Sequence, residues 1–292
     1  MYRYLNYIIL GLLLVTGCSS NDEYIPADDG RQRVKISVFA ENGAISNDIN
    51  AGLYMVNYVD DIKDYLHPVG NYINNQLIVY RNSSWQSEQP IYWYDENTPA
   101  DFYVYAPYRK DVENACALPS GVATDQTTKA GMAQSDFLYG AIMREYPSES
   151  DFELKMHHHF SKMTVVITTD GTFDGLSADN VSVAIGGTKV ESVVDMQTGA
   201  ITVTGDTQDV QCCNNGDLSY TAILIPQQIP YSNFIKIDWN GNPYILQSAF
   251  KFESRREYKL TVKLKKTAGG FDIGIDGWDI VDEDFGGVVG GV

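Results

Sequence analysis

The stretch Ile91-Tyr92-Trp93-Tyr94-Asp95-Glu96-Asn97-Thr98-Pro99-Ala100-Asp101-Phe102-Tyr103-Val104-Tyr105 holds two runs of aromatic and β-branched side chains around a polar spacer that ends in proline. Such side chains fit the pleated, half-buried surface of a sheet. Each run is too short for a helical stripe, and each suits the strand period of two. Working outward, similar runs cover residues 34–39, 53–58 and 77–80, then 164–168, 181–185, 200–203, 220–225, 234–239, 244–250 and 258–264. Turn formers separate them: Asn42-Gly43, Asp170-Gly171, Asn215-Gly216-Asp217 and Asn240-Gly241-Asn242-Pro243. The chain therefore reads as all-β, its short strands stacked in β-sandwiches. Residues 109–135 are the least strand-like interior stretch and read as a long loop with one helical turn.

The sequence has 292 residues, 38 acids against 21 bases and a net charge of −17, with 20 tyrosines. Its aromatic and β-branched content is that of a globular chain. Tyrosine suits a strand because its ring packs while its hydroxyl stays wet. A prior of roughly 100–200 residues per domain suggests two domains. We place the boundary in the polar stretch 145–152, giving domains 33–150 and 151–281 with a tail at 282–292. The acidic balance argues against nucleic acid and anionic membranes, which attract Lys/Arg patches.

Residues 1–17 hold one charge, Arg3, ahead of the apolar run Tyr7-Ile8-Ile9-Leu10-Gly11-Leu12-Leu13-Leu14-Val15. This is the form of a secretory signal, too short to cross a hydrocarbon core of about 30 Å as a helix. The run ends in Val15-Thr16-Gly17-Cys18. A small residue directly before a cysteine there resembles the bacterial lipobox, in which the cysteine is acylated and becomes the first residue. Cys18 is thus the expected lipid anchor, each buried CH₂ contributing ~0.8 kcal/mol. Loss of residues 1–17 removes only Arg3, so −17 becomes −18. Residues 18–32 follow as an acidic tether carrying Asp22, Glu23, Asp28 and Asp29. It reads either as a solvated linker or as similar to a surface-export signal of some Gram-negative anaerobes.

No catalytic constellation stands out. Cys116, Cys212 and Cys213 allow at most one bridge, from Cys116 to one of the adjacent pair, and have no metal-site spacing. His157-His158-His159 would place two imidazoles on one strand face, short of the three or four ligands zinc needs. There is no nucleophile elbow, P-loop or dinucleotide fingerprint, and no cofactor is expected. Asp272-Ile273-Gly274-Ile275-Asp276 lacks the spacing of a calcium loop, and Phe271, Ile273 and Ile275 read as a strand.

Four segments in order carry a family resemblance. Trp85 and Pro90-Ile91-Tyr92-Trp93 lead into Asp101-Phe102-Tyr103-Val104-Tyr105-Ala106-Pro107. Ser135-Asp136-Phe137-Leu138-Tyr139 comes next, then Leu154, Met156, His158 and Phe160-Ser161-Lys162-Met163. Tyr220, Ala222 and Leu224-Ile225-Pro226-Gln227 precede Tyr258, Leu260-Thr261-Val262, Ile273, Ile275 and Trp278. The whole resembles the fimbrillin-like lipoproteins, subunits and accessory proteins of type V pili, with His158, Ser161, Lys162, Pro226 and Gln227 on the family signature.

The resemblance implies two consecutive transthyretin-like antiparallel β-sandwich domains and a structural or adhesive role without catalysis. It implies an outer-membrane, surface-exposed location, partnership with other fimbrillin-type subunits and contact with host or bacterial surface ligands. In polymerising pilins of the family, cleavage after a basic residue between the first two strands removes the first strand. A strand from the next subunit then fills the groove. This chain departs at that step, because Glu41 to Asn50 contains no Arg or Lys. Arg31 precedes and Arg33 opens the first strand, expected at 33–40, and the second is expected at 51–58. An anchor, accessory or tip type is therefore favoured over a shaft subunit. Candidate partner-strand residues are Ile273, Ile275, Trp278, Val288 and Val289. The alternative is a stand-alone glycan-binding lipoprotein presenting Trp85, Trp93 and its tyrosines.

Overall fold

Central strands set the architecture. The computed structural model describes residues 30–40, 49–169, 171, 173, 175–267 and 270–282. Among these, the first sheet is built from β1 (Ile36–Ala40), β2 (Asn50–Asn57), β3 (Ile73–Arg81), β4 (Ser84–Ser87) and β5 (Ala100–Ala106). After β6 (Leu118–Gly121) and α1 (Lys129–Ser135), the sheet is completed by β7 (Leu138–Glu145) and β8 (Phe152–His158). The chain then runs through β9 (Ser161–Thr169), β10 (Val181–Val194), β11 (Ile201–Gln211), β12 (Cys213–Gly216) and β13 (Ser219–Leu224). It closes with β14 (Gln228–Trp239), β15 (Asn242–Lys251), β16 (Glu257–Thr267) and β17 (Gly270–Asp282).

The seven-stranded sheet has the order β1-β8-β7-β5-β2-β3-β4. A five-stranded sheet, β11-β10-β14-β15 with β6 on β10, faces another, β12-β13-β9-β16-β17. Most ladders are antiparallel. Two are not: β1 runs parallel to β8 and β16 parallel to β9, a departure from purely antiparallel sandwiches.

Alternation explains the two cores. Leu53, Met55, Phe102 and Val104 face one core with Val38, Ile78, Trp93 and Leu154. Their strand neighbours Tyr54, Tyr103 and Tyr105 point the other way, into a larger core with Phe137, Phe160, Val165, Val183, Ile235 and Leu260. All of β5 is buried, which is why its sequence is aromatic and apolar on both faces. The described strands belong to one compact unit beginning at Arg31. Although β8 lies beyond residue 150, it is a strand of the first sheet, and the change of sheet comes at Phe160.

Three expectations change. Residues 91–94 are not a strand: only Tyr92 bridges, to Arg33, and the run instead supplies buried packing at Ile91, Tyr92 and Trp93. The 109–135 stretch is more ordered than a loop. It holds β6, paired with β10 from Leu118–Val194 to Gly121–Glu191, and the seven-residue helix α1. Leu118-Pro119-Ser120-Gly121 has no alternation, and its proline is tolerated because the strand pairs on one side only. Cys116, Cys212 and Cys213 are all free, so no staple joins them. Asn240-Gly241, in contrast, does form the β14–β15 hairpin, both residues at positive φ as a type I′ turn needs.

Candidate functional site

The signature residues converge where the chain leaves the first sheet. His158 ends β8 in register with Leu138 and is fully buried. Its Nδ1 lies 2.8 Å from Asp136 Oδ1, at the C-terminal cap of α1. The neighbouring histidines face elsewhere. The Arg255 guanidinium, which can only donate, meets His157 Nδ1 at 3.1 Å. His159 Nε2 lies 2.5 Å from the Gly199 carbonyl. Burial pulls the His159 pKa below its ordinary value.

Ser161, also fully buried, donates from Oγ to the Glu253 carbonyl at 2.8 Å. Lys162 stands beside Glu257 in the β9–β16 ladder, and their side chains pair at 2.9 Å. Gln227, following Pro226, uses its amide as a short strand. Its Oε1 accepts from the Lys189 N–H at 2.9 Å, and its Nε2 donates to the Lys189 carbonyl at 2.8 Å. That register lies beside an irregularity in the β10–β11 ladder. These groups all serve the backbone or each other, and they fix the corner between sheets. Among the described residues no group of three or more His, Cys, Asp or Glu could hold a metal.

Two further networks have no counterpart in the sequence reading. Asp101, fully buried in β5, accepts from the Tyr58 hydroxyl at 2.7 Å and the Arg144 N–H at 2.8 Å, and faces Lys63 Nζ at 3.4 Å. A lone acid inside Ala100-Asp101-Phe102-Tyr103-Val104-Tyr105 was the available signal, since a buried carboxylate must be partnered. Gln126, fully buried, brackets Ile223 at the edge of β13: Oε1 accepts from its N–H and Nε2 donates to its carbonyl, both at 2.8 Å.

The edges of the first sheet complete the picture. β1 and β4 are its outermost strands, and Trp85 Nε1 donates across to the Val38 carbonyl at 2.6 Å. Trp93 is 1% exposed and packs on Phe102 and Phe152. Trp93 is thus closed to any surface ligand, whereas Trp85 is half-buried.

The fimbrillin-like family matches residues 35–278. The chain belongs to that family. Among solved structures, a candidate cell adhesion protein of Bacteroides ovatus superposes with a TM-score of 0.68 at 13% identity, covering 86% of this chain and 98% of the other. A candidate cell adhesion protein of Bacteroides uniformis gives 0.63 at 17% identity, covering 87% and 98%. A fimbrial protein of Bacteroides ovatus gives 0.50 at 17% identity, covering 82% and 49%. At these identities the likeness is one of fold. No curated protein matches the sequence.

Within this fimbrillin-like chain, the donor candidates divide. Ile273, Ile275 and Trp278 lie on β17, in register with Leu264, Val262 and Leu260 of β16. β17 is the edge of its sheet. Val288, Val289 and the lipid-anchor candidate Cys18 lie outside the described residues, as does the 41–48 segment after β1.

Proposed function

We propose that this chain is a structural and adhesive component of a cell-surface fimbrium, an anchor, accessory or tip subunit of a type V pilus assembled by β-strand addition. A lipid on Cys18 holds it in the outer membrane. Its partners are other fimbrillin-type subunits and surface ligands of host or bacterial cells, and its role is mechanical rather than catalytic.

The observation that supports this reading most is β1. It pairs with β8 along its whole length and buries Val38 and Ala40 in the first core. Losing it would open that core and strip the β8 edge of its partners. The following segment has no Arg or Lys at which a basic-specific protease could cut. A subunit left uncleaved keeps both β1 and its N-terminal lipid. On the donor side, β17 offers an outer edge, with residues 283–292 beyond it.

N-terminal analysis of the protein recovered from cells tests the choice between anchor and shaft. We expect a lipid-modified start at Cys18. A proteolytic start near residue 50 overturns the anchor reading in favour of a shaft subunit. Cys18→Ala is expected to release the protein from the membrane fraction, and retention there rules the lipid site out.

A further inference from the structure

A cleft of about 490 Å³ opens where the loop after β5 meets β6, β10 and the last turn of α1, and Tyr108, Arg109, Pro119, Gly121, Gln134 and Glu191 line it. The loop is held by its backbone. The Tyr108 N–H donates to the Asn50 carbonyl at 2.9 Å, and the Arg109 N–H to the Tyr105 hydroxyl at 3.2 Å. Asn75 Nδ2 donates in turn to the Arg109 carbonyl at 2.8 Å. These bonds, to β2, β5 and β3, set the place of Arg109 before anything binds, so little ordering is left for a ligand to impose.

The guanidinium has no acceptor within the chain. Arg109 is half-buried, yet its side chain makes no hydrogen bond and no ion pair among the described residues, and its Nε is sealed from solvent. A buried donor without a partner costs about 1–3 kcal/mol, more for a charged group. An acceptor from outside would remove that cost. Gly121 adds a second donor. The Val122 N–H donates to the Val190 carbonyl at 3.0 Å, so by alternation the N–H and C=O of Gly121 face away from β10, and no other strand pairs with β6. A guanidinium fork beside a free strand N–H suits a carboxylate.

The other lining groups narrow what carries the carboxylate. Glu191 of β10 and Gln134 of α1 are exposed in the same cleft, and Glu191 makes no ion pair with Arg109. An ionised carboxylate only accepts. Glu191 therefore repels an inorganic anion and favours a ligand that brings hydroxyl donors. Among these polar groups Tyr108, Pro119 and Val122 supply apolar surface, which the C–H face of a sugar ring can cover. A chain of net charge −17 exerts no general pull on anions, so the recognition has to be local. An acidic sugar meets all three demands, with a carboxylate at one end and hydroxyls around a ring that has an apolar face.

We propose that this cleft is a binding site for a sugar carboxylate, a uronate or sialate unit of a cell-surface glycan, clamped by Arg109. The guanidinium and the Gly121 N–H take the carboxylate, Glu191 and Gln134 take ring hydroxyls, and Tyr108 and Pro119 cover the ring face. The site uses no residue of β1 or β17, the strands on which the fimbrial reading rests. It gives the chain a ligand without requiring assembly.

The test is an amide NMR titration of the full mature chain with methyl glucuronide and, separately, with a methyl sialoside. At least one should bind saturably and shift the Gly121 amide, and which one does so tells a uronate from a sialate. Methyl glucoside, the ring without the charge, and acetate, the charge without the ring, should each bind about ten-fold more weakly or worse. Both controls use the unaltered protein, so no variant has to fold. Arg109→Ala should abolish saturation, and Arg109→Lys, which keeps the charge and loses the fork, should weaken binding about ten-fold. Glu191→Gln should weaken it roughly five-fold, the weight of one net hydrogen bond; unchanged or tighter binding overturns the sugar assignment. No saturable binding of either acid, equal binding of glucoside or acetate, or indifference to Arg109→Ala overturns the site. If the protein is found in purified fimbriae and neither acid binds, the glycan site alone fails. If an acid binds and the protein is absent from fimbriae, the fimbrial reading fails instead.

Discussion

At the scale of single residues, buried polar groups carry the specificity of this fold. Asp101 satisfies the Tyr58 hydroxyl and the Arg144 N–H at once. Asp101→Leu leaves both without a partner, at about 1–3 kcal/mol each. Asp101→Asn keeps a carbonyl oxygen and should lose less. Denaturant midpoints check the order, and an Asn variant as unstable as the Leu variant contradicts it. The tyrosines add a pH dependence. Burial, the largest cause in each case, raises the pKa of Tyr58, Tyr105 and Tyr220 from 10.0 to about 12. Above pH 10 the unfolded chain loses these protons while the folded chain keeps them. Their contribution to stability is full below pH 10 and is lost as pH rises toward 12. The phenolate absorbance of these buried tyrosines should therefore appear together with loss of the β-sheet circular dichroism signal; complete titration of all 20 tyrosines in a folded chain contradicts this. His157 and His158 were legible as strand residues of β8, whereas His159 falls just past its end. The Asp136 partner of His158 was not legible, because it depends on α1 returning to β8.

Elements are held by close approaches that only the fold reveals. Gly52 stands opposite Tyr105 in the β2–β5 ladder, and a Cβ there would collide with the tyrosine ring. The Tyr105 hydroxyl cannot swing away freely, since it donates to Asn75 Oδ1 at 2.8 Å. Gly52→Ala should destabilise by about 1–3 kcal/mol, the usual size of overpacking, and thermal melting will show whether it does. Gln126→Leu strips the Ile223 N–H and C=O of their partners. Hydrogen exchange at the Ile223 amide should accelerate markedly, whereas unchanged exchange would mean the bracket is dispensable. Most strands were legible from period two, and the positive-φ pair Asn240-Gly241 from composition alone. What escaped was β6, too short to alternate and paired only because β10 passes it, and the parallel contacts of β1 and β16, which no local pattern encodes. The aromatic run at 91–94 misled for the opposite reason: residues that pack in a core resemble residues that form a ladder.

Over the whole molecule, the distribution of core residues predicts how the chain unfolds. Tyr54, Tyr103, Tyr105 and Phe137, from the first half of the sequence, share one core with Val165, Val183, Ile235 and Leu260 from the second. Phe160, fully buried at the change of sheet, stacks on Phe137 with ring centroids 5.5 Å apart. Tyr139 donates to the Met196 carbonyl at 2.8 Å, and Gln126 reaches β13. Neither half can open without uncovering apolar surface of the other, so both should unfold together. Single-tryptophan variants make this measurable. Trp93 reports on the first core and Trp239, packed against the larger one, on the second. Their denaturant transitions should coincide, with equal calorimetric and van't Hoff enthalpies. Phe160→Ala, which empties the shared corner at a cost of about 3–5 kcal/mol, should move both transitions by the same amount. Separated midpoints, or a shift confined to the Trp239 signal, would show two independently stable halves joined by a passive contact.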